Sequence, residues 1–146
     1  MRIAVTSKDL MSVTPHAGRE RNFLVFEVST GVPPQFIEQR TLHPDLTIGA
    51  WNLRGPHPLD DIDVIITKSH KEHFSQRVGS RGILAVICQS SDPVEAITVF
   101  LSSPGALEMI AEAKTRKSPE IKESRIEFSR QNRQIGCPGR VRRQSS

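Results

Sequence analysis

The fold is decided by the stretch DVIITKSHKEHFSQRVGSRGILAVIC, residues 63–88. Its first five and last six residues are rich in Val, Ile and Leu, which is typical of strands buried on both faces. Between them, Phe74 and Val78 have the four-residue spacing of one helical face, and Ser69 stands where an N-cap belongs. The stretch therefore predicts a strand–helix–strand unit with its helix over residues 70–78.

Three further strands are predicted upstream of this unit. Residues 2–7 and residues 23–28 are mainly apolar, and residues 35–42 form a weaker third strand. The connection between the second and third strands, residues 30–34, contains Gly and Pro. A connection this short is typical of an antiparallel hairpin.

A second helix is predicted after the strand–helix–strand unit. Asp92 is a good N-cap, Pro93 suits the first helical position and Glu95 suits the third. The helix is expected to end before Pro104. A hairpin followed by strand–helix–strand units predicts an α/β domain with a mixed sheet covered by helices, over residues 1–104.

Charge is distributed unevenly along the chain. Residues 1–104 hold ten Lys/Arg and eleven Asp/Glu, a net charge of −1, whereas residues 105–146 hold ten and five, a net charge of +5. The second range is interpreted as a basic C-terminal extension, with a short helix over residues 106–115 and then a disordered segment. Nucleic-acid binding is not expected from residues 1–104, and only this extension has the charge for it.

The sequence disfavours a membrane or secreted location and several common kinds of active site. It contains no apolar run long enough to cross a membrane and no apolar signal-peptide core, so we expect a cytoplasmic protein. It also contains no glycine-rich phosphate loop and no nucleophile elbow. The two cysteines, Cys88 and Cys137, are too few for a cluster held by cysteines alone. Because Cys88 continues an apolar run, a core thiol is favoured over a nucleophile.

The first candidate site is the loop after the first strand. His16 follows Pro15, which fixes its own backbone torsion, and precedes Gly18, which permits an unusual conformation. Arg19, with Arg21 nearby, adds positive charge. Imidazole binds transition metals and guanidinium offsets anionic charge, so the loop suits a ligand of either kind. A structural turn is the alternative.

The remaining histidines form a weaker candidate. His70 and His73 lie three residues apart and would share one face of the predicted helix, which is compatible with metal binding. The sequence offers no evident third ligand, and a solvated helix start is the alternative. His43 and His57 lie in an irregular, proline-containing stretch, residues 43–61, and are expected to face solvent. A stretch that folds over a site is the alternative.

Five segments of the chain recur in the order and spacing of one known family. They are RIAVTS (2–7), VTPHAGR (13–19), FLVFEV (23–28), DVII (63–66) and DPVEAI (92–97). Residues 1–104 thus resemble the dinitrogenase iron–molybdenum cofactor biosynthesis family, which includes the NifX/NafY-like carriers and the related domain at the end of NifB.

The resemblance implies a ribonuclease H-like fold, with a mixed five-stranded sheet flanked by helices. It implies a noncatalytic carrier of an iron–sulfur or iron–molybdenum-type cofactor or precursor, in metallocluster biosynthesis for nitrogen fixation. Cluster donor and acceptor proteins would be its partners. His16 is implied as a cluster ligand, with Gly18 and Arg19 completing the cofactor site. Many relatives have a glycine-rich loop at residues 67–73, whose bare backbone can approach a ligand. Either the ligand differs here, or His70 and His73 supply side chains as metal ligands where relatives use the backbone.

An alternative function is a partner- or nucleic-acid-binding regulatory domain that has kept the fold without the cluster. Its support is the stretch over residues 67–73, which lacks the family's glycines. A ribonuclease H-like nuclease is disfavoured, because it needs several carboxylates, including one in the first strand, and residues 2–7 contain no acid. A homodimer that joins two His16 loops stays open.

Overall fold

The computed structural model describes residues 1–29, 31–52 and 54–116, which form a five-stranded mixed sheet flanked by three helices. The α/β class and the order of elements are therefore confirmed, while residues 117–146, with the predicted disordered segment and Cys137, lie outside the described residues. The elements are β1 (Arg2–Thr6), β2 (Asn22–Ser29), β3 (Val32–Thr41), a 3-10 helix (Pro44–Leu46), β4 (Val64–Thr67), α1 (Glu72–Gly79), β5 (Leu84–Ile87), α2 (Pro93–Ser102) and α3 (Ala106–Lys114).

The first strand lies at the centre of the sheet, in the order β3-β2-β1-β4-β5. β1, β2 and β3 are antiparallel neighbours, whereas β4 and β5 run parallel to β1. Ile3, Ala4 and Val5 pair with β2 on one side and with β4 on the other, and all three are fully buried. Their unbroken apolar run reflects a strand covered on both faces.

Two apolar cores lie on the two faces of the sheet. On one face, Ile3 and Val5 pack in a cluster with residues of α2 and α3. On the other face, Ala4 and Ile65 pack in a cluster with residues of α1 and of the irregular segment, residues 42–62. This segment therefore acts as part of the layer that covers the sheet.

The two C-terminal helices of the described range pack on the same face. Asp92 caps α2 as predicted, since its carboxylate accepts a hydrogen bond from the Glu95 N–H at 2.8 Å. Gly105 then adopts a φ of 79°, which favours glycine, and starts α3. Ala106 and Ile110 of α3 belong to the apolar core, so this core continues beyond α2. Within the described residues, no single helix has the length and hydropathy of a membrane span.

The first helix begins later than the sequence predicts. Its N-cap is Lys71, and Ser69 does not cap it. The Ser69 hydroxyl instead accepts a hydrogen bond from the His16 N–H at 3.2 Å. His70 therefore precedes the helix and only His73 lies on it, so the shared helical face predicted for these two histidines is wrong.

A buried ionic cluster attaches the irregular segment to the sheet. The fully buried guanidinium of Arg40, on β3, donates to Asp61 Oδ1 and to Glu38 Oε2, both at 2.7 Å. Burial alone would raise the pKa of the Asp61 carboxyl, but the positive charges of Arg40 and Arg2 hold it below its usual value. Removing one partner of such a cluster typically costs about 3–5 kcal/mol. The end of the irregular segment is thereby fixed against β3.

His57 is buried, so the prediction that it faces solvent is wrong. Only 3% of it is exposed, and its Nε2 donates to the Leu46 carbonyl at 2.7 Å. The Leu59 N–H donates to its Nδ1 at 3.1 Å, and its ring centroid lies 4.5 Å from that of Trp51. Because the charged imidazolium is poorly solvated here, burial lowers the pKa of His57 to about 4. His43 is exposed, as predicted.

Candidate functional site

The predicted site residues line one cavity of about 460 Å³, called here the histidine cavity. It lies between the loop after β1, the loop after β4, the start of α1 and the irregular segment. Crevices beyond the carboxyl ends of parallel strands are common ligand sites in α/β proteins. The lining residues are His16, Ala17, Gly18, Arg19, Ile48, Gly49, Ser69, His70, Lys71, His73, Phe74 and Arg77.

The backbone of His16 adopts an uncommon conformation. Its φ of 67° lies in the left-handed region, which is costly for a residue with a Cβ. Hydrogen bonds hold the turn: the His16 N–H donates to Ser69 Oγ, and the Arg19 N–H donates to the His16 carbonyl at 3.0 Å. Such strain persists where the surroundings impose it, and it is frequent at ligand sites. The unusual conformation predicted at Gly18 is therefore found at His16, since Gly18 has no positive φ.

A close backbone contact joins the His16 loop to the irregular segment. The Gly49 N–H donates to the Gly18 carbonyl at 2.8 Å. A Cβ added at Gly49 would lie 2.8 Å from the same oxygen, whereas one added at Gly18 would meet nothing within 4 Å. Glycine is therefore required at position 49, where the two segments form adjacent walls of the cavity.

Arg77 fixes the irregular segment to α1. Its guanidinium donates from Nε to the Ile48 carbonyl at 2.7 Å and from Nη2 to the Trp51 carbonyl. Its Nη1 lies 3.4 Å from Nε2 of His73. Because a guanidinium can only donate, His73 Nε2 is the acceptor of this contact. Arg77 therefore holds both the cavity wall and one of the cavity's imidazoles.

His70 is oriented by two contacts. Its Nδ1 lies 3.0 Å from the Lys71 carbonyl, which can only accept, so Nδ1 is the donor. Its ring centroid lies 5.4 Å from that of Phe74. In the neutral imidazole this arrangement leaves the lone pair on Nε2.

The described lining of the cavity is cationic. Arg19, Lys71 and Arg77 contribute positive charge, and none of the described lining residues is acidic. Ala17, Ile48 and Phe74 supply apolar surface, which lowers the local dielectric and strengthens attraction for an anion. The cavity therefore suits an anionic ligand with some apolar or polarisable surface.

The described residues do not form a closed metal cage. They contain no group of three His, Cys, Asp or Glu side chains that could hold a metal ion. The predicted metal ligands His16, His70 and His73 thus share a cavity without forming a three-ligand site. Cys88 does not line the cavity. It is half-buried against the apolar core and follows β5, which is partly exposed, so the predicted strand buried on both faces is wrong for β5. Burial raises the pKa of the Cys88 thiol.

Several functional residues escape sequence analysis. Arg77 and Gly49 act through contacts between segments far apart in sequence, for which no local pattern exists. Lys71 is the exception, because its position between two candidate histidines gives a usable signal. Arg21, expected beside Arg19, instead donates from Nε to the Leu42 carbonyl at 2.7 Å and does not line the cavity.

No protein-family model matches the chain, and a search of curated proteins finds no match. The chemistry of the histidine cavity therefore has to be interpreted from its own geometry.

Proposed function

We propose that this domain is a noncatalytic binding protein for an anionic iron–sulfur or iron–molybdenum-type cofactor precursor. The cluster would be cargo held in the histidine cavity, with His16 as its ligand and Arg19 as a counter-charge. One observation carries the proposal: an exposed imidazole in a strained loop faces a cavity with three cationic side chains and no acidic residue in its described lining.

The donor set fits a preformed cluster better than a bare metal ion. A cluster brings its own sulfide, so it needs few protein ligands, whereas a bare metal ion needs the closed cage that the described residues lack. A cargo must also be released, which one or two imidazole ligands permit more readily than a set of cysteines. The guanidinium and ammonium groups of Arg19 and Lys71 would balance the charge of the cluster.

The architecture supports the same proposal. An antiparallel hairpin beside β1, with two parallel strands on its other side, is compatible with a ribonuclease H-like sheet. That is the fold implied by the resemblance to the cofactor-biosynthesis family, in which His16 occupies the ligand position. We accordingly propose that the domain works in metallocluster biosynthesis, between a cluster donor and a cluster acceptor protein.

The test is anaerobic titration with a preformed synthetic iron–sulfur cluster that carries exchangeable thiolate ligands. Bound cluster is measured by charge-transfer absorption and by iron and sulfide content after gel filtration. We expect uptake by the full chain and its loss in His16→Ala. The matched control is His43→Ala, which removes an exposed imidazole outside the cavity and should leave uptake unchanged.

Two results would contradict the proposal. Equal uptake by His16→Ala and the full chain would remove the assigned ligand. No uptake by the full chain would favour the alternative, a partner- or nucleic-acid-binding domain without a cluster.

A further inference from the structure

We infer that His70 is a second contact residue for the cargo, acting through Nε2, and that His73 is a positioning residue withheld from it. This inference rests on the proposed function. The division of roles is based on the contacts that the rings of His70 and His73 make with their neighbours.

The ring of His70 is oriented by two contacts. Its Nδ1 donates to the Lys71 carbonyl at 3.0 Å, and its ring lies against Phe74. A metal-binding histidine usually donates its other ring N–H in this way, because the contact fixes the tautomer and makes the free nitrogen more basic. His70 therefore has a ligand orientation before any cargo is bound, with Nε2 as the nitrogen available to it.

His73 has the opposite arrangement, because its Nε2 is already engaged by a neighbouring side chain. Its Nε2 accepts from Arg77 at 3.4 Å, so that lone pair faces a guanidinium and not a metal. The same guanidinium holds the carbonyls of Ile48 and Trp51. His73 thus contributes to the position of Arg77 and, through it, to the wall beside Gly49.

A backbone hydrogen bond connects this wall to the loop that carries the primary ligand, His16. Gly49 donates to the Gly18 carbonyl at 2.8 Å, and Gly18 lies two residues after His16. A chain of contacts therefore runs from His73 through Arg77 and Gly49 to the His16 loop. Losing the His73 acceptor should loosen the site without removing a ligand.

The experiment counts imidazole ligands in the full chain. The probe is the same synthetic cluster, reduced so that it is paramagnetic, and pulsed electron paramagnetic resonance detects nitrogen bound to it. Each imidazole that enters displaces one thiolate, which leaves as a thiol after taking up a proton. The variants are His16→Ala, His70→Ala, His73→Leu and His73→Gln, and dissociation constants come from the absorption titration.

We expect two coupled nitrogens in the full chain and one in His70→Ala, with about tenfold weaker binding. His73→Leu should bind less tightly with both nitrogens still coupled. His73→Gln should bind as the full chain does, because an amide oxygen can accept from Arg77.

The outcomes separate this inference from the proposed function. Cluster uptake that depends on His16 but shows a single coupled nitrogen, or is unchanged in His70→Ala, overturns the inference and leaves the proposed function intact. Loss of a nitrogen in His73→Leu overturns the division of roles. No uptake by the full chain, or uptake independent of His16, overturns both.

Discussion

His16 is held in a backbone conformation that glycine adopts at lower cost. Its φ of 67° costs a residue with a Cβ roughly 1–2 kcal/mol. Glycine avoids this cost but loses more chain entropy on folding, about 0.5–1 kcal/mol. We therefore predict that His16→Gly raises the free energy of unfolding by about 0.5 kcal/mol, measured by urea denaturation, while cluster uptake is lost.

The matched control for this prediction is Lys8→Gly in the same loop. Lys8 is exposed and has no positive φ, so glycine there brings only its entropic cost. We expect it to lower the free energy of unfolding by about 0.5–1 kcal/mol. If His16→Gly is as destabilising as Lys8→Gly, the strain assigned to His16 does not exist.

Buried His57 should make the stability of the protein depend on pH. Burial lowers its pKa from the usual 6.5 to about 4, so the unfolded chain binds the proton more readily than the folded one. This contribution is complete above about pH 6.5 and is lost as the pH falls to about 4. We predict a loss of about 3 kcal/mol across this window, measured as the free energy of unfolding at several pH values.

The variant His57→Gln isolates this effect. It should be less stable than the parent at pH 7, because the fit to Leu46, Leu59 and Trp51 is altered, but its stability should fall less between pH 6.5 and 4. His43→Gln removes an exposed histidine and should keep the parent's pH dependence. An unchanged slope in His57→Gln would show that other groups cause the acid sensitivity.

Between elements, the contact of Gly49 with Gly18 is the most sensitive point of the cavity wall. A Cβ at Gly49 would lie 2.8 Å from a backbone oxygen that cannot move aside like a side chain. We predict that Gly49→Ala lowers the free energy of unfolding by about 1–3 kcal/mol and weakens cluster binding.

Gly18→Ala is the matched control, because it adds the same methyl group on the other side of the contact. The added methyl group meets no atom within 4 Å, and the backbone of Gly18 has no positive φ. We therefore expect the free energy of unfolding to stay the same or to rise by up to about 1 kcal/mol. Chemical denaturation of both variants measures the difference. Equal effects of the two substitutions would mean that the contact between the loops is not tight.

The strands and α2 could be predicted because their signals are local, except that β3 begins at Val32, inside the predicted turn, and not at residue 35. Ile3 to Val5 form an unbroken apolar run, and Asp92 with Pro93 marks a helix start wherever it occurs. The start of α1 could not be predicted in the same way. The hydroxyl of Ser69 is bound to the distant His16 loop, and this contact between segments outweighs its local preference for an N-cap.

The irregular segment was the least predictable part of the site. Its course depends on contacts with other elements, such as Arg77 with the Ile48 carbonyl and Arg40 with Asp61. None of these has a sequence spacing that could be recognised in advance. His16 lies in the loop after the first strand, as the order of strands predicts, whereas the opposite wall of the cavity depends on these contacts.

Across the described domain, the aspartates at one end of the sheet are neutralised by ion pairs, whereas the cations at the other end line a cavity with no acidic residue in its described lining. At the amino end of β4, Asp60 pairs with Arg81 and Asp63 pairs with Lys114. At the carboxyl end of the same strand lies the histidine cavity, with cations and no acid in its described lining. A net charge of −1 over residues 1–104 therefore conceals a local site for anions.

The part of the basic extension that follows Arg116 should account for any affinity for nucleic acid. Residues 117–146 hold eight Lys/Arg and three Asp/Glu. We predict that a chain ending at Arg116 loses binding to a short DNA duplex, and that binding by the full chain falls steeply with salt. Fluorescence anisotropy measures both. Equal DNA affinity of the two chains, at matched salt, would place the binding surface in the folded domain.

The third helix determines where the chain can be shortened without unfolding it. Ala106, Ile110 and Ala113 are at most 4% exposed, and Lys114 pairs with Asp63 at 3.1 Å. Burying one isoleucine side chain alone contributes about 1.5–3 kcal/mol, and an exposed core face adds to the loss. We predict that a chain ending at Arg116 keeps the full free energy of unfolding, whereas one ending at Pro104 loses about 3–5 kcal/mol. Urea denaturation of the two truncated chains measures this difference. Equal free energies of unfolding would mean that the packing of α3 on the sheet does not stabilise the domain. The expected loss would show that α3 is an integral part of the domain that holds the cavity.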